Sequence, residues 1–247
     1  TIIIEEVEGI DRVNEPVTVG IPFPKGSLYK TSNLVLHGAD HTYLVPLQSQ
    51  PLALWPDDSL KWVLLDFQIS VPANKTIELD LTADESGTIS DKSVYISVVE
   101  HQNYFLVDTK AASFFVNTSM FKPFDRVIIG GKEVLYGQKS QMILTDESDI
   151  RYEPLIDTIF VETKGKLRTT LKAQGKFRSS RGSVFSSFFS RISFFANHSL
   201  VKTEFTILNP NAAKHPGGLW DLGDPGSVFF KDLSLYTTLN TRESSKI

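Results

Sequence analysis

The chain has 247 residues, 41% of them hydrophobic, and a formal net charge of -4. That size suffices for one large all-β unit or two smaller domains, while a mildly acidic chain disfavours a general nucleic-acid binder, whose affinity needs a concentrated basic surface. The chain has no cysteine, which removes disulfide frameworks, thiolate zinc sites and cysteine nucleophiles, and no apolar run nears the roughly 18 to 20 residues of a membrane-spanning helix.

The opening, TIIIEEVEGIDR, has neither an initiator Met nor a basic-then-apolar leader, as expected of a processed or trimmed chain. Further on, LHGADHTY brings His37 and His41 within four residues of each other. A metal site would need a third ligand and supporting contacts, so the stronger reading is a hairpin turn through Gly38, Ala39 and Asp40. The stretch PLALWPDDSLKWVLLDFQISV follows. Its alternation predicts a half-buried strand with Val63, Leu65, Phe67, Ile69 and Val71 inward and Lys61, Asp66, Gln68 and Ser70 elsewhere. Residues Pro56 to Ser59 predict a type I turn before it. Trp55 and Trp62 either close a small barrel or, with Asp57 and Asp58, form a sugar-stacking surface; barrel closure is the stronger reading.

ADESGTISDKS, from Ala83 to Ser93, is polar, with Ile89 its one large apolar residue, which marks a linker or long surface loop. A boundary there divides the chain into residues 1–88 and 89–247. RVIIGGKEVLY predicts a hairpin whose tight turn is Gly130 and Gly131. From Thr163 to Thr203 there is no Asp or Glu, while nine of the chain's 25 Lys and Arg fall in that interval. Lys164, Lys166, Arg168, Lys172, Lys176 and Arg178 share one parity, so a continuous strand through them would present a basic face. Such a face is either a track for a polyanion or a solvated, aggregation-resistant surface. Near the end, KHPGGLWDLGDPGSVFF combines Gly217 and Gly218 with a second turn at Pro225 and Gly226, and His215, Trp220, Asp221 and Asp224 are its candidate binding residues. The two aspartates have a second reading as acceptors for turn amides. The final TTLNTRESSKI has no obvious structural end, so the second unit is expected to be truncated or to continue.

Across the chain, recurring alternation, frequent Gly, Pro, Asn and Asp, and the lack of a sustained 3.6-residue period predict an all-β protein. The sequence has no phosphate-binding Gly-rich loop, HExxH, G-x-S-x-G or EF-hand loop.

Two stretches resemble a known family. GIDRVNEPVTVGIPFPKGSL with VPLQSQPLALWPDDSLKWVLLDF resembles the N-terminal RIFT barrel of the exo-rhamnogalacturonan lyase-like family, and NPNAAKHPGGLWDLGDPGSVFFKDLSL resembles part of the β-sandwich that follows it. The resemblance implies a small RIFT-type barrel followed by an antiparallel β-sandwich, in a family whose members add a C-terminal α/α toroid and cleave pectic rhamnogalacturonan by β-elimination. This sequence has no toroid, so the chain alone is expected to be inactive and to rely on that domain or an equivalent chain. An acidic polysaccharide is the implied partner, which favours Lys166, Arg168, Lys172, Lys176 and Arg178 as substrate-binding residues. No cofactor is predicted, with a divalent cation such as calcium left open. The expected location is periplasmic or extracellular. Two alternatives stand beside the lyase reading: a non-catalytic acidic-glycan-binding protein, and structural docking domains that touch no sugar.

Overall fold

A computed structural model describes residues 1–38, 41, 43–83, 96–212 and 226–240. It divides into two units, Thr1–Tyr95 with Gly165–Arg168, and Ile96–Lys164 with Thr169–Ile247. The expected boundary at residue 88 lies outside the described residues. So do His215, Trp220, Asp221 and Asp224, together with Gly217, Gly218, Pro225 and most of the closing tail. Among the described residues the regular structure is strand, with two single 3-10 turns and no α-helix. The expected all-β class, a small barrel followed by a sandwich, is what these residues form.

The first unit holds two antiparallel sheets. One orders β1 (Ile2–Glu5), β7 (Thr76–Ala83), β3 (Leu34–Gly38) and β4 (Leu44–Val45); the other orders β2 (Arg12–Pro22), β6 (Leu60–Val71) and β5 (Leu47–Leu54). Central β6 carries the core: Val63, Leu65, Phe67, Ile69 and Val71 are all buried against Leu28, Leu36 and Leu79. Each such side chain contributes about 1.5–3 kcal/mol relative to exposure, so the alternation settles which face of the strand turns inward. Pro16, Pro22 and Pro51 sit on β2 and β5, the two edges of this sheet, where a missing N–H breaks no internal ladder.

Three expectations change here. Asp66, expected on the polar side, does point away from the apolar core but is only 3% exposed, because Thr18, Gln48 and Arg168 surround its carboxylate. Trp62 does not close the barrel; it lies on the outer face of β6 with 41% of its surface exposed. The expected turn forms one residue earlier, over Trp55–Asp58: the Asp58 N–H donates to the Trp55 carbonyl at 3.0 Å, Asp58 then takes a left-handed φ of 64°, and the Trp55 N–H donates to the Ser59 carbonyl. Asp57 stabilises this geometry by accepting from the Ser59 amide and hydroxyl. β3 and β4 pair antiparallel, Leu36 with Val45 and His37 with Leu44, while Ala39 and Asp40 of the expected turn lie outside the described residues.

The second unit is a sandwich. Its first sheet orders β12 (Lys132–Glu133), β11 (Arg126–Ile129), β10 (Ala112–Asn117), β9 (Tyr104–Asp108) and β8 (Ser97–Glu100). Its second orders β17 (Val201–Leu208), β16 (Val184–Phe195), β15 (Arg168–Ser179), β14 (Arg151–Thr163), β13 (Gln141–Asp146) and β18 (Phe230–Tyr236). The Gly130–Gly131 turn joins β11 to β12 with φ of 56° and 74°, the two left-handed positions that a tight primed turn requires. Phenylalanine fills the space between the sheets: Phe114 from β10 meets Phe194 from β16 at 5.2 Å between centroids, and Phe188 stacks on Phe205 at 5.2 Å. Phenylalanine suits this interior because its ring demands no polar partner. Where the aromatic rings crowd, a neighbour must be small; Gly175 on β15 lies directly against the Leu155 carbonyl and the Phe188 ring.

Candidate functional site

β15 follows the sequence alternation. Its odd positions from Thr169 to Ser179 are buried, whereas Lys172, Gln174, Lys176 and Arg178 emerge on the outer face of the six-stranded sheet. The expected basic strand is shorter than its run of charges, because Lys164 and Lys166 precede β15, which begins at Arg168.

Antiparallel register sets the neighbours of those cations. Lys172 pairs with Phe160 of β14, Lys176 with Leu155 and Arg178 with Glu153. On the far side of β15, β16 supplies Phe189 and Arg191, and Arg191 is paired with Glu204 of β17. Glu162 at the end of β14 organises the centre of this face. Arg191 donates to it through Nε at 2.5 Å and Nη2 at 2.7 Å, and Lys172 Nζ approaches at 3.3 Å. The two-pronged Arg191 hydrogen bond, reinforced by Lys172, holds the Glu162 carboxyl below its ordinary value against the opposing effect of partial burial, and the same contact raises Arg191. Lys172 Nζ and the Arg191 guanidinium lie 5.8 and 5.6 Å from the centroid of Phe189, while Phe160 is 43% exposed.

The face is therefore mixed rather than uniformly basic. Glu162, Glu153 and Glu204 come from flanking strands and balance part of the charge that β15 and β16 concentrate. Lys176 and Arg178 keep their side chains partly exposed, with no carboxylate of the described residues within ion-pairing distance.

Arg168 and Lys166 belong to a different setting, the Gly165–Arg168 segment counted with the first unit. Arg168 Nε donates to Asp66 Oδ1 at 2.6 Å, and the two side chains are 12% and 4% exposed. Gln48 holds the same segment: its Oε1 accepts from the Leu167 and Arg168 amides at 2.9 and 3.0 Å, and its Nε2 donates to the Arg168 carbonyl at 3.1 Å. A side chain on Gly165 would collide with the Gln48 amide. Arg168 thus acts in a buried ion pair, while Lys166 is exposed.

The sequence reading missed Glu162, Phe160 and Phe189 and placed no special weight on Arg191. One signal was available: Glu162 is the last acid before the acid-free interval, adjacent to where a returning strand would bring it beside the cations. His37 and His41 bring their rings to 4.4 Å, yet no group of three or more His, Asp or Glu among the described residues is placed to hold a metal ion. No helix of the described residues is long and apolar enough to cross a membrane.

Residues 4–82, most of the first unit, match the PcRGLX-like N-terminal RIFT barrel domain. The N-terminal region is rhamnogalacturonan lyase-like. This agrees with the resemblance carried by GIDRVNEPVTVG and LKWVLLDF, and the sandwich lies outside that match. Over 186 residues the chain is also 25% identical to the uncharacterized protein YetA of Bacillus subtilis (strain 168), a similarity covering 70% of this chain and 20% of that protein. The matched region thus spans about a fifth of that relative's length.

Proposed function

We propose that this chain is the β-structured portion of a polysaccharide lyase-like protein that engages pectic rhamnogalacturonan, with cleavage by β-elimination. The observation that carries the reading is the match of residues 4–82 to the RIFT barrel domain. Elimination from a uronate requires a base near the C5 proton and cations or donors that neutralise the carboxylate, since that proton is otherwise too weakly acidic. Lys176 and Arg178 supply cations on an open sheet face, suited to holding uronates along a polymer rather than enclosing one reacting bond. The catalytic base belongs, in this proposal, to a C-terminal α/α toroid or an equivalent chain, and the substrate places the protein in the periplasm or outside the cell.

A second reading, acidic-glycan binding without chemistry, draws on the same open placement of Lys176 and Arg178. Incubating the protein from its full reading frame with rhamnogalacturonan distinguishes them. Ultraviolet absorbance from unsaturated uronate products is the expected result; binding without absorbance favours the second reading, and neither binding nor absorbance refutes both.

A further inference from the structure

The two tryptophans around the Trp55–Ser59 turn have separate fates. Trp55 is anchored: its indole N–H donates to the Phe23 carbonyl at 3.0 Å, and Lys61 Nζ lies 4.6 Å from its ring centroid. Trp62 is 41% exposed, and its indole N–H has no acceptor among the described residues. Its six-membered ring rests beside Gly20 on β2, where an added Cβ would stand 3.7 Å from Cε3. The residues paired with Trp62 are Pro22 on β2 and Ala53 on β5, where β5 bulges and leaves the exposed Leu52 next to Ala53. One step along the same face, Leu64 is paired with Gly20 and Gln50. An accessible indole with a free donor, uncharged neighbours and a nearby amide is the combination that receives an apolar C–H face together with hydroxyl groups.

The geometry points to Trp62 as a stacking platform for an uncharged pyranose unit of a glycan chain, with Gln50 and the indole N–H available to its hydroxyls. This binding site belongs to the first unit, whereas the cationic face belongs to the second, and it rests on the reading of the protein as glycan-acting. A charged sugar is not favoured at this point because Gly20, Pro22, Ala53, Gln50 and Leu64 supply no countercharge.

The test titrates the intact chain with rhamnogalacturonan and, separately, with neutral galactan, following affinity and acrylamide quenching of tryptophan fluorescence. Trp62→Ala should weaken binding roughly tenfold with the melting temperature preserved, whereas Trp62→Phe retains most of the affinity. Ligand should protect a tryptophan from quenching in the wild type and lose that protection in Trp62→Phe. Binding of rhamnogalacturonan that is indifferent to Trp62→Ala overturns the platform and leaves the proposed function standing. Binding of galactan alone, lost in Trp62→Ala, supports the platform while removing the acidic-polymer reading. Failure of the wild type to bind either glycan overturns the platform.

Discussion

Arg168→Met separates a structural cation from a ligand-binding one. The substitution keeps an aliphatic stem but removes the guanidinium that reaches Asp66 at 2.6 Å. Asp66, 4% exposed at its side chain, would keep, among the described residues, Thr18 at 2.6 Å and the longer Gln48 contact at 3.4 Å as side-chain donors. Removing one partner of a buried ion pair costs about 3–5 kcal/mol, because the remaining charge stays out of water without compensation. At about 2–4 °C per kcal/mol for a chain of this size, the affected melting transition should fall by roughly 10 °C. Differential scanning calorimetry at neutral pH measures this and shows whether the chain melts in one step or two. Combining Arg168→Met with Asp66→Asn should recover much of the loss, since no uncompensated charge is then buried. A melting temperature within about 2 °C of wild type, less than 1 kcal/mol on the same scale, would refute the buried-pair account. Lost glycan affinity at unchanged stability would return Arg168 to the binding residues.

Three further outcomes follow from the sandwich. Because the Glu162 carboxyl is held below its ordinary value of 4.5, its ion pairs stabilise the fold above that value, and the contribution is lost as pH falls through the lowered one. Melting temperatures measured downward from pH 5 should show a steeper acid loss in the wild type than in Glu162→Gln; parallel profiles would contradict the assignment. Gly175→Ala drives a methyl group into the Leu155 carbonyl and the Phe188 ring, and should cost about 3 kcal/mol by denaturant unfolding despite the better strand propensity of alanine; equal or greater stability would show that the sheet yields at this point. Replacing Lys176 and Arg178 together by Ala should weaken binding to an acidic glycan roughly tenfold and flatten its salt dependence, with neutral-glycan binding unchanged. Unaltered affinity in affinity electrophoresis would dispose of the cationic face as a binding surface.

Much of the fold is legible along the chain because its determinants are local. The alternation from Val63 to Val71 specifies which face of β6 is buried, and two adjacent glycines at 130 and 131 specify a turn with left-handed positions. The same parity rule places Lys172, Lys176 and Arg178 on one face of β15. It cannot say what lies across from them. Glu153 and Arg178 are 25 positions apart, and Asp66 and Arg168 are 102 apart, yet the first two are paired across strands and the second two form an ion pair. An acid-free stretch of sequence therefore became a mixed face in space, because a sheet draws its charge balance from whichever strands pair.

The same division holds for the tryptophans. Their short spacing announced a turn and a strand, but only the fold decided that Trp55 would find the Phe23 carbonyl and Lys61, while Trp62 would lie open beside Gly20. By itself the sequence determined the β class, the inward faces of the strands and the glycine turn, all of which depend on backbone periodicity and local dihedral preference. Tertiary structure decided which charges are neutralised and which aromatic rings remain accessible, because neutralisation and exposure depend on partners brought together from distant parts of the chain.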